Sequence, residues 1–132
     1  MRNLSLFLRV VAPVFFIVGA LHLILGLNAD VLLGAMVPAE ALNDPALDSQ
    51  NRFYGMAFTL YGVLLLLSAT DLPKYATVLR CVLWVFFLSG VARLVSIATH
   101  GIPPAPVVLL LGSELVAPPL LLFWLSRVLH EG

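Results

Sequence analysis

Arg93 and Glu114 carry the greatest chemical potential in this chain, because each stands inside an apolar run long enough to span a bilayer. A sheltered guanidinium can hold an anionic or carbonyl group, and a buried carboxyl can exchange protons near neutrality. A charge at bilayer depth costs about 2.5–3.5 kcal/mol on insertion scales, so such residues face a bundle interior or a watery cavity. His22 lies in the first apolar run. Asn51 and Arg52 precede the second, Tyr54 and Tyr61 lie within it, and Ser96 follows Arg93 by one helical turn. Together they form a candidate ligand-binding set. Arg93 or Arg52 would hold a polar head, Glu114 would balance charge, and Tyr54 and Tyr61 would provide walls. No nucleophile motif is visible, so no catalytic residue is assigned.

Each of these residues also has a plain structural reading. Arg93 and Glu114 can form an ion pair that fixes helix packing. His22 can be a hydrogen-bonded core histidine, the tyrosines packing residues whose hydroxyls find a partner, and Arg52 an interface anchor. His22, His100, Glu114 and Asp30 lack the i,i+3 or i,i+4 ligand spacing of a metal centre, so neither a metal nor a cofactor is expected.

The elements that position these groups must lie in lipid. The 132 residues are 61% hydrophobic and 11% charged, against about 25% charged in a typical soluble domain. Seven basic and seven acidic residues give no net charge, and nucleic-acid binding would need a basic face. Cys81 is the one cysteine, which excludes an intrachain disulfide and a CxxC redox pair.

Four apolar runs can be drawn at about 6–27, 53–70, 78–99 and 105–126. Each is near the ~20 residues that a spanning helix requires. The expectation is an all-α, integral membrane four-helix bundle, one domain over 1–132. The first run is too long for a signal-peptide core and no small-x-small site follows it, so it reads as retained. Arg2 and Arg9 precede the first run, Lys74 and Arg80 flank the second connection, and Arg127 follows the fourth. By the positive-inside rule both termini are cytoplasmic, with the 28–51 loop and the 100–104 turn outside.

The external loop mixes apolar Val31, Leu32, Leu33, Met36 and Val37 with acidic Asp30, Glu40, Asp44 and Asp48. It predicts one or two short helices on the bundle mouth. In Asn43-Asp44-Pro45, Asp44 reads as an N-cap and Pro45 as the first helical residue. Gly55, Thr59 and Gly62 form a small-residue stripe suited to close helix contact. The third run places Ser89, Arg93, Ser96 and His100 on one face and should stop at Gly101. In the fourth, Pro118 and Pro119 remove the donors that would reach the carbonyls of Glu114 and Leu115.

At 1.5 Å per residue from the outer ends, Arg93 lies about 12 Å deep, Glu114 about 14 Å, Tyr61 about 15 Å and His22 about 9 Å. Polar groups from all four runs therefore gather in the outer half, whereas the inner half has almost none. The pattern suggests a funnel open to the outside.

Gln50-Asn51-Arg52-Phe53-Tyr54-Gly55, Tyr61-Gly62, Gly90-x-x-Arg93-Leu94-x-Ser96, His100-Gly101-x-Pro103 and Glu114-Leu115 together resemble a family of small bacterial four-span membrane proteins. This is domain-of-unknown-function family 4345, DoxX-like in shape. The resemblance runs from about residue 19 to 119, and the Asn-Arg-Phe-Tyr-Gly segment is its most specific part. It implies a multi-pass four-helix bundle in a bacterial inner membrane and implies no activity.

Three functions fit these readings. The first is a protein that binds a small amphipathic or lipid-like molecule in the outer half, with membrane lipids as its partners. The second is an intramembrane isomerase or hydrolase that exchanges protons between Glu114 and His22. The third is an assembly or interaction subunit, or a homo-oligomer, in which the 55-59-62 stripe faces another protomer.

Overall fold

A computed structural model describes residues 1–130. They form six helices: α1 (Arg2–Leu25), α2 (Asn28–Leu32), α3 (Ala39–Leu42), α4 (Pro45–Thr70), α5 (Ala76–His100) and α6 (Ala105–His130). There is no strand among the described residues. α1, α4, α5 and α6 are long and apolar enough to cross a membrane. The chain is thus an all-α, multi-pass membrane protein.

Helix ends follow the local signals. Asp44 Oδ1 accepts from the backbone N–H of Ala46 at 2.8 Å and of Leu47 at 3.2 Å, which makes it the N-cap of α4 with Pro45 at the first helical position. α1 stops two residues before the end of the apolar run drawn from the sequence. There Gly26 adopts φ 55° and donates to the His22 carbonyl at 2.8 Å, an αL cap. Gly101 (φ 92°) ends α5 and donates to Ile97. α2 and α3 are the short helices expected in the long connection. α6 continues unbroken past Pro118 and Pro119 and runs beyond the predicted end at 126.

The chain forms two compact units. One comprises Met1–Val10 and the chain from Leu64 onward, and the other Val11–Val63. The first is a bundle drawn from all four long helices. Phe7 of α1 stacks obliquely on Trp124 of α6 at 5.9 Å between ring centres. Ser5 of α1 donates to the Ala69 carbonyl near the end of α4 at 2.5 Å, and Arg9 reaches the same oxygen at 3.3 Å. Both satisfy a carbonyl that lacks a partner within its own helix. On α6, Leu111, Glu114, Pro118 and Leu125 are buried at steps of three, four and seven, so Glu114 sits in register with the core-facing stripe.

The second unit packs the rest of α1 against the first part of α4. The packing depends on missing side chains. A Cβ on Gly19 would overlap Thr59 Oγ1 and lie 2.9 Å from the Gly55 carbonyl oxygen, and one on Gly62 would lie 3.0 Å from the Ala12 carbonyl oxygen. The 55-59-62 stripe is therefore occupied by α1 of the same chain. This corrects the expectation that it faces another protomer. Small residues let two helices approach closely, and in lipid that contact area replaces the hydrophobic drive. Phe15, Phe58 and Tyr61 close the interface with ring centres 4.9–5.8 Å apart.

Candidate functional site

The sequence-predicted residues fall into two groups, one in each unit. In the first, Gly90 lets α5 and α6 approach: a Cβ there would lie 2.8 Å from Leu115 Cδ2 and 3.1 Å from Glu114 Cβ. Arg93 stands three residues on, along the same face of α5. Its Nε donates to Glu114 Oε2 at 2.7 Å. The exposures differ sharply: 36% for the Arg93 side chain and 1% for Glu114. Nε carries the one hydrogen bond of this guanidinium among the described residues, so both Nη groups keep their donors. Ser96, one turn further on, is exposed.

In the second unit, His22, Asn51 and Arg52 each have a partner. His22 Nδ1 donates to the Val18 carbonyl at 2.8 Å, and Nε2 lies 3.7 Å from Asp30 Oδ1. Asn51 Nδ2 donates to Asp30 Oδ2 at 2.5 Å. That carboxylate can only accept, which fixes the amide orientation and leaves the buried Asn51 Oδ1 without a hydrogen-bond partner among the described residues. Asp30 thus ties α1, α2 and α4 together.

Arg52 serves the end of α1. Its Nη1 donates to the carbonyls of Leu23 and Ile24, the latter at 3.1 Å, while Nε and Nη2 donate to Asp48 at 2.7 and 3.3 Å. A Cβ on Gly26 would overlap Asp48 Oδ1, so this glycine answers both the αL backbone and the close carboxylate. With every guanidinium nitrogen engaged, Arg52 is a helix-end clamp. Tyr54 is exposed beside Phe53, with rings edge-on at 5.8 Å. Tyr61 belongs to the ring cluster with Phe15 and Phe58.

The sequence placed Arg9 only as a flanking charge and Asp30 and Asp48 only as acidic loop residues, Asp30 also as a metal candidate, and it gave Ser5 no role; the partners of all four come from the structure. Asp48 was legible, because it stands four residues before Arg52 inside a helix that starts at Pro45. The Ser5 and Arg9 contacts had no local signal, since they reach an oxygen more than fifty residues away.

No group of three or more His, Cys, Asp or Glu side chains among the described residues could hold a metal ion. An open cavity of about 290 Å³ lies in the first unit between the start of α1 and the α4–α5 turn, lined by Arg2, Ser5 and Ala69–Pro73. It does not include Arg93 or Glu114.

The sequence profile described as "Domain of unknown function (DUF4345)" matches residues 4–125, and the chain belongs to that family. No curated protein and no solved structure matches it.

Proposed function

We propose that this member of the DUF4345 family binds a small amphipathic or lipid-like molecule, whose polar head takes hydrogen bonds from the Nη groups of Arg93. The observation behind this reading is the asymmetry of the ion pair. Glu114 is sealed in the core, whereas a third of the Arg93 side chain is open with unused donors. Acyl chains cannot satisfy those donors, and an unmet polar group in hydrocarbon costs several kcal/mol. A ligand head meets the need, with its apolar part along Leu94 and other exposed apolar side chains of α5. The site would lie in the outer half of a bacterial inner-membrane protein, towards Gly101.

The proton-exchange reading draws no comparable support, because His22 already faces Val18 O and Asp30. The test is a thermal-stability and native mass-spectrometry screen of the purified protein against lipids and amphipathic metabolites. A bound species retained by the native protein and lost in Arg93→Leu/Glu114→Leu supports the proposal. No stabilisation and no retained species across the panel overturns it.

A further inference from the structure

Resting on that binding reading, we infer that the Arg93 site selects an uncharged head group with a hydrogen-bond acceptor, such as an ester or ketone carbonyl, over an anionic one. An unpaired guanidinium at this depth would attract an anion strongly. Here Glu114 Oε2 sits 2.7 Å from Arg93 Nε, and that carboxylate is 1% exposed. The pair is therefore already neutral, and its counter-charge cannot move out to water when a ligand arrives. An anionic head beside Arg93 would leave one uncompensated negative charge in a low-dielectric setting, where desolvating an ion is far costlier than desolvating a neutral group. No second cation relieves it nearby on the packed helices. From residue 84 to 99 of α5 and from 105 to 126 of α6, Arg93 is the sole Lys, Arg or His.

A carbonyl oxygen needs none of this compensation. It accepts from Nη, the hydrogen bond is strengthened by the donor's charge, and the site stays neutral. The apolar side chains around it, with Leu94 45% exposed, suit an ester-bearing or carbonyl-bearing chain. Glu114 thus acts as a specificity determinant without touching the ligand: it cancels the charge that would otherwise recruit acids.

The experiment uses the full chain in lipid nanodiscs and two photoreactive probes on the same diazirine-bearing alkyl chain. One ends in a methyl ester, the other in a sulfonate that stays ionised. We expect the ester to label α5 or α6, with the sulfonate at least about tenfold weaker, the size of one charge-assisted hydrogen bond or more. Arg93→Lys keeps the charge and the fold but loses the planar fork, and should reduce ester labelling. Glu114→Gln, checked for folding by size exclusion and melting temperature, should reverse the preference towards the sulfonate. Arg93-dependent labelling by the sulfonate as strong as by the ester overturns the neutral-head inference and leaves the binding reading standing. Labelling by neither probe that depends on Arg93 removes both. An unchanged preference in Glu114→Gln removes the role given to Glu114.

Discussion

The Cβ of His22 on α1 fills the space that a side chain on Gly55 of α4 would need. The two helices therefore meet backbone to backbone at the level of the His22–Asp30–Asn51 cluster, and the imidazole is placed by a residue that has no side chain of its own. A polar group is held in register by close packing rather than by its hydrogen bonds alone.

Gly55→Ala should therefore destabilise the protein by about 1–3 kcal/mol, the usual cost of overpacking. Gly112→Ala is the matched control. It lies within α6 with nothing within 4 Å of the new methyl group, so helix propensity should leave stability unchanged or raise it by up to about 1 kcal/mol. Reversible unfolding in mixed micelles measures both. Equal stability of Gly55→Ala and the native protein would contradict the close α1–α4 contact.

Arg93→Ala leaves Glu114 buried without its partner, and breaking such a pair costs about 3–5 kcal/mol. Arg93→Leu/Glu114→Leu removes both charges together and should recover most of that loss, since an apolar pair of similar volume is often as stable. Melting temperatures of the single and double variants decide the matter. A double variant no more stable than Arg93→Ala would show that the pair does more than neutralise itself.

Near the end of α4, the Ala69 carbonyl accepts from Ser5 and Arg9 together. Ser5→Ala or Arg9→Ala alone leaves one donor in place and should cost about 1 kcal/mol or less. The double variant strands a carbonyl on a residue only 3% exposed, so its loss should exceed the sum of the singles, by about 1–3 kcal/mol for the unmet acceptor. A double-mutant cycle reads this coupling directly. Strict additivity would mean that water or another donor takes over.

Much of the architecture was legible residue by residue. Hydropathy marks the four long helices because length and apolarity are what lipid demands of a spanning segment. Asp44-Pro45 and Gly101 mark helix ends because capping is a local matter of a few dihedrals and one side chain. Arg93 and Glu114 were paired by depth alone, since rise per residue converts sequence distance into height. Arg52 shows where that arithmetic stops. Depth put it at a rim, free to take a ligand, yet its nitrogens are used by Asp48 and by two carbonyls of α1.

What the sequence determined by itself is the membrane class, the number and approximate limits of the long helices, and the presence of two opposite charges that lipid would not tolerate singly. Tertiary structure alone decided which guanidinium is closed and which keeps open donors, that α1 covers the small-residue stripe of α4, and that Asp30 joins His22 to Asn51. The physical reason is rotational. A helix's height follows from counting residues, but the partner of each side chain depends on how the helix is turned about its axis. That angle is set by contacts between residues remote in sequence.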